Sequence, residues 1–147
     1  MIEKEIYIDA PPEVVYGFLT EPAKMMQWIG TEVELDPRPG GVFRVVPNLL
    51  DVISGEFRAA IPYSNVSFTW GFEGDGQGVP PGSTIVEITL EPEGAGTRLR
   101  LTHRDLTGES REKHDGGWDH YLARIAVAVE GGAVVPDPYA DPSHRHV

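Results

Sequence analysis

Five histidines, 23 acidic side chains and no cysteine are what this sequence offers to chemistry. Without cysteine there is no thiol nucleophile, no Cys-ligated zinc or iron–sulfur centre and no disulfide. His144 and His146 flank an arginine near the C-terminus. That spacing chelates an adventitious ion, but a working site needs further ordered ligands, so no metal and no cofactor are expected. His114 and His120 stand six apart and do not share a helix face. Asp115 and Asp119 are spaced like paired carboxylates on a helix, yet acids near a helix start are favoured by its dipole, and a solvated face is expected. Gly74-Asp75-Gly76-Gln77-Gly78 falls between two strands and reads as a hairpin loop, not a nucleotide cradle. No Gly-x-Ser-x-Gly elbow, Walker loop or His-Glu-x-x-His helix occurs.

His103 stands apart. It shares a parity with Leu99 and Leu101, opposite to Arg98, Arg100, Thr102 and Arg104, so in a strand it points inward. An interior imidazole either orients a ligand oxygen and works as an acid or base near neutral pH, or is a hydrogen-bonded core histidine. His103 is the one candidate for catalysis. Around it, Phe43, Phe57, Phe68, Trp70 and Phe72 fall on inward parities, and Trp28, Trp118 and Leu122 on apolar helix faces. These line a pocket or fill a core.

The elements that must position them follow from periodicity. Ile2, Ile6 and Ile8 alternate with acidic residues, the signature of a half-buried strand. Asp9-Ala10-Pro11-Pro12 supplies a capping residue and prolines for a helix start, and Val14, Val15, Phe18 and Leu19 follow at helical spacing. Pro22 breaks that helix and opens another turn, giving a kinked helix pair. From Thr31 to Asp105, strands such as Val66 to Phe72 and Thr84 to Leu90 alternate with Pro- and Gly-rich turns as an antiparallel meander. A long amphipathic helix is expected from about Glu109 to Glu130, with Trp118, Leu122, Ile125 and Val129 on one face. Gly116-Gly117 inside it implies a bend or a close backbone approach.

Length and charge bound the remainder. At 147 residues one domain is expected, spanning 1–132, followed by a Pro-rich tail at 133–147 that is extended or disordered and adds little to folding. A net charge of −11 repels phosphate, and Arg98, Arg100 and Arg104 alternate along one strand as a solvated face. Nucleic acid is not an expected partner. Met1 to Asp9 lacks the apolar core of a signal peptide and no run approaches transmembrane length, so a cytoplasmic protein without membrane insertion is expected. A homodimer is the base-rate expectation.

The order strand, kinked helix pair, meander, long helix is that of an α+β helix-grip fold: a curved antiparallel sheet of six or seven strands around the C-terminal helix. Ile8-Asp9-Ala10-Pro11-Pro12-Glu13-Val14-Val15-Tyr16, Trp28, Asp36-Pro37-Arg38-Pro39-Gly40-Gly41-Val42-Phe43, Gly55-Glu56-Phe57, Pro62, Phe68-Thr69-Trp70, Gly96-Thr97-Arg98-Leu99, His103 and Gly116-Gly117-Trp118 stand in one order. In that order they resemble the SRPBCC (START-like) superfamily, in the branch named after the C-terminal domain of the activator of Hsp90 ATPase. The resemblance runs from Met1 to Gly132. It departs at Ala59, where the branch often has an acid, and has no counterpart to the tail. It implies a cavity for a small apolar molecule, lipid-like or polyketide-like, with Trp28, Phe43, Phe57, Phe68, Trp70, His103, Trp118 and Leu122 as the wall. A cyclase- or hydratase-type enzyme using the same cavity, or a chaperone-cofactor-like interaction domain, are the alternatives.

Overall fold

Alternation of apolar and polar residues builds one antiparallel sheet, seen here in a computed structural model that describes residues 1–47, 51–74 and 78–131. The expected tail and the middle of the Gly74–Gly78 loop lie outside the described residues. The elements run β1 (Ile2–Ile8), α1 (Pro12–Thr20), α2 (Pro22–Met25), β2 (Glu32–Leu35), β3 (Val42–Val46), β4 (Ile53–Ile61), β5 (Asn65–Trp70), β6 (Thr84–Glu93), β7 (Gly96–Arg104) and α3 (Gly108–Val129). Seven strands pair in the order β1-β7-β6-β5-β4-β3-β2. The meander is therefore local, except that the first strand closes on the last. The expected α+β helix-grip architecture is what is found: a curved sheet, a broken helix pair and a long C-terminal helix.

Register explains which side chains face α3. Val86 pairs with His103, Ile88 with Leu101 and Leu90 with Leu99, and all six are buried while Arg100, Arg104 and Glu87 are exposed. On the outer face, Glu5, Glu91 and Glu93 pair with Arg98 and Arg100, the solvated arginine row that the alternation predicts. Gly55 in β4 lies so close to β5 that a Cβ there would come within 2.0 Å of the Thr69 carbonyl oxygen. Next to it the register shifts between Phe57 and Ala59, a kink of the kind that curves a sheet.

Several local expectations are corrected. Asp9 does not cap α1: the N-cap is Pro11, without a side-chain bond, and the Asp9 N–H instead donates to the Glu130 carboxylate at 2.9 Å. β5 ends at Trp70, and Phe72 continues only as an isolated bridge to Ile53. No close approach explains Gly116, since a Cβ there would meet nothing within 4 Å. Gly117 is buried. α3 itself matches its expected range to within one residue at each end.

Candidate functional site

Between the concave face of the sheet and α3 lies a bed of aromatic rings. Phe43 stacks on Phe68 with centroids 3.9 Å apart, and Phe57 meets both edge-on. Trp70 extends the series, touching Phe43 and Phe68 on one side and Trp118 at 5.2 Å on the other. The inward parities of β3, β4 and β5 place the phenylalanines, and the buried stripe of α3 lowers Trp118 onto them. Phe43, Phe57, Phe68, Trp70, Trp118 and His103 thus form one continuous cluster. Trp28 is held elsewhere, with its indole N–H donating to the Phe18 carbonyl at 2.9 Å and its own carbonyl accepting from Arg124 at 3.0 Å. Leu122 lies on the buried face of α3. All eight predicted wall residues are buried.

At the end of this bed, below the first half of α3, sits a polar group that the sequence reading gave only in part. His103 is fully buried. The Trp118 indole N–H donates to His103 Nδ1 at 3.0 Å, and His103 Nε2 lies 2.8 Å from Thr84 Oγ1. Thr84 in turn donates to the Trp70 carbonyl at 2.8 Å. With Nδ1 accepting and the threonine proton spent on Trp70, the neutral ring must carry its proton on Nε2. A second imidazole, His114, accepts the Trp70 indole N–H on Nε2 at 3.1 Å and turns Nδ1 to the Ser110 carbonyl at 2.7 Å. It therefore carries its proton on Nδ1. The two rings meet edge-on, 5.2 Å apart.

His114 corrects the expectation of a single interior histidine. Its signal was present, because His114 lies four residues before Trp118 and extends the stripe Trp118, Leu122, Ile125 and Val129 back by one turn. Comparing it with His120 alone hid that periodicity. Tyr121, also fully buried, lies off the stripe as drawn and was missed for that reason.

Electrostatics holds both rings neutral. Burial pushes the His103 imidazole down to about 3, and the adjacent His114 pushes the same way. Burial also lowers His114, against the raising effect of its Ser110 carbonyl bond. A protonated His103 would turn an N–H toward the Trp118 N–H, so geometry and desolvation agree. Every ring nitrogen in the pair has a hydrogen-bond partner. Such a group orients and rigidifies, and it performs proton transfer only if a bond is first given up.

The closure above this group is light. α3 buries nothing before His114. Lys4, whose parity in β1 points inward, reaches up to Asp115 at 3.1 Å and Asp119 at 2.9 Å. Their side chains are 48% and 65% exposed. Surface grooves lie at Met26, Thr31–Glu34 and Arg44, at Glu3–Glu5 and Arg100–Thr102, and around Pro12 and Tyr63; their linings contain none of the predicted wall residues. Among the described residues no group of three or more potential ligands could hold a metal, and no helix is long and apolar enough to cross a membrane.

Comparison with known proteins agrees with this architecture. The model of the family described as Activator of Hsp90 ATPase homolog 1-like protein matches residues 9–130. An AHSA1-like protein from Rhizobium etli, solved in solution, is 38% identical with a TM-score of 0.74, over 94% of this chain and 86% of that one. CalU16 from Micromonospora echinospora is 27% identical with a TM-score of 0.71, over 94% of this chain and 77% of that one. Aha1 from Colwellia psychrerythraea, solved as a dimer, shares the fold at 22% identity with a TM-score of 0.76, over 89% of this chain and 96% of that one. No curated protein matches the sequence.

Proposed function

Given that the chain belongs to the Activator of Hsp90 ATPase homolog 1-like family, we propose that it holds a small hydrophobic molecule, lipid-like or polyketide-like, between the sheet and α3. The observation that carries this reading is the aromatic bed itself, placed beneath a helix whose first six residues bury nothing. Phe43, Phe57, Phe68, Trp70 and Trp118 offer ring faces, and the His103–Thr84 and His114–Trp70 bonds are the polar points against which a ligand oxygen registers. Entry requires the first half of α3 to lift and the rings to part. Catalysis is the weaker reading, because His103 must surrender Trp118 or Thr84 before moving a proton.

Native mass spectrometry of freshly purified protein and titration with 1-anilinonaphthalene-8-sulfonate and palmitate, read by quenching of tryptophan emission, test the proposal. A co-purifying mass, or saturable quenching that is lost in Trp70→Ala, is the expected result. Absence of any added mass together with unsaturable quenching would refute it. A homodimer accords with the assembly of the Colwellia protein and is tested by sedimentation equilibrium; a constant monomer mass would dismiss it.

A further inference from the structure

We propose that the two indole–imidazole bonds between α3 and the sheet are a proton-operated latch, and that acid releases residues 108–115 as an arm that swings on Gly116 while the sheet stays folded. As a gate over the aromatic bed this rests on the binding reading above; the movement of the arm does not. The two bonds run in opposite directions. His103 on β7 accepts from Trp118 of the helix at 3.0 Å, and His114 of the helix accepts from Trp70 on β5 at 3.1 Å. An indole N–H only donates, so neither bond can survive by reversing. Each ring already carries one proton, on His103 Nε2 and on His114 Nδ1, so a second proton lands on the nitrogen that holds the indole. Donor then faces donor, and with both rings protonated their edge-on contact at 5.2 Å also sets charge against charge.

Little else holds the arm. α3 buries no residue before His114, and Thr107 at its N-cap makes no side-chain bond. Arg111 meets the Met1 carbonyl at 3.4 Å on the surface, and Asp115 meets Lys4. Gly116 stands between the two latch residues of α3, where a Cβ would meet nothing within 4 Å. Packing therefore does not demand glycine there, and what glycine contributes is a weak joint in the helix. Among the described residues no carboxylate shifts either ring: His114 acts on His103 and Lys113 on His114, both against an added proton. The sheet presents Trp70, Phe72 and Thr84 to the pair, with Ile2 of β1 opposite His103. Arg104 lies on the other, exposed face of β7, and Lys4 of β1 is engaged by Asp115 and Asp119. With the arm out, a ring takes up its proton near pH 6.5, so opening gains about tenfold per pH unit for each ring below that value.

Hydrogen exchange in the intact, ligand-free chain at pH 7.5 and 5, corrected for the intrinsic pH dependence of amide exchange, tests the latch. Amides 112–115 are expected to open at least tenfold more at pH 5 than at pH 7.5, and at pH 5 at least tenfold more than the amides of β7. The double variant His103→Gln/His114→Gln keeps an acceptor for each indole at any pH, and its arm should lose the pH dependence. Arm and β7 exchanging in step at pH 5 overturns the proposal, and so does a pH dependence that persists in the double variant. If that variant does not fold, Gly116→Ala takes its place: a stiffer joint should lower arm opening relative to β7 by about fivefold, and an unchanged ratio overturns the latch. No ligand enters the measurement, so its failure leaves the binding reading standing, and failed binding titrations leave the acid response of the arm standing.

Discussion

Acidification should loosen this protein through its buried imidazoles, and His103 is where the effect can be worked out. In the unfolded chain the imidazole takes up its proton near pH 6.5. In the fold burial holds it down to about 3. A histidine depressed in this way stabilises the fold fully above about pH 6.5, and that contribution drains away as the pH falls toward 3. The slope is about 1.4 kcal/mol per pH unit, so His103 alone removes about 2 kcal/mol by pH 5. His114 is lowered too and pulls in the same direction. Urea unfolding followed by tryptophan emission at pH 7.5, 6 and 5 measures the loss. The comparison is His103→Leu, which leaves the Trp118 N–H without its acceptor and so starts about 1–3 kcal/mol less stable at pH 7.5. Its curve against pH should nevertheless be flatter by the His103 share, because carboxylates titrate alike in both proteins. Parallel pH curves for the two would show that His103 titrates as an ordinary histidine, and the neutral network would be refuted.

Other substitutions probe the remaining claims. Gly116→Ala should raise stability by about 0.5–1 kcal/mol in the same urea assay, since helix propensity favours alanine and the added methyl meets open space; a loss would mean that the glycine is used for a bend after all. Trp118→Ala removes both a ring from the bed and the donor to His103, and should cost about 3–5 kcal/mol; near-wild-type stability would place Trp118 at a mouth. Lys4→Met should cost at most about 1 kcal/mol, because the carboxylates it meets are 48% and 65% exposed, and the difference from wild type should shrink in 1 M NaCl; a salt-independent loss would point to packing instead of charge.

What was legible in the sequence is the side of each strand. Leu99, Leu101 and His103 announce their burial by alternation, as do Thr84, Val86, Ile88 and Leu90, because a two-residue period admits only two faces. Helix limits were legible too, through prolines and glycines at their ends. Less visible was anything that depends on which residues meet across the interior. Nothing local to His114 says that it will face Trp70, 44 residues away, and the same holds for Lys4 below Asp115 and Asp119. β5 shows the other limit. Its Ser67 and Thr69 are buried as well as its aromatics, so alternation in polarity there did not mean alternation in exposure: Thr69 Oγ1 accepts the Glu56 N–H instead of facing water.

The closure of β1 on β7 has a consequence for how the chain comes into being. Every other strand pair joins neighbours in the meander, whereas Ile2 meets His103 and Ile8 meets Thr97. At a synthesis rate of roughly 5–20 residues per second, β1 leaves the ribosome about 5–20 s before its partner exists. During that interval it is an unpaired strand with isoleucines on one face, the kind of edge that recruits other chains. Lys4, set in the middle of that same face, places a charge where intermolecular pairing would have to bury it. Only when α3 arrives with Asp115 and Asp119 does the charge gain its partners, so the residue that guards the nascent strand becomes the clasp that fastens the finished helix.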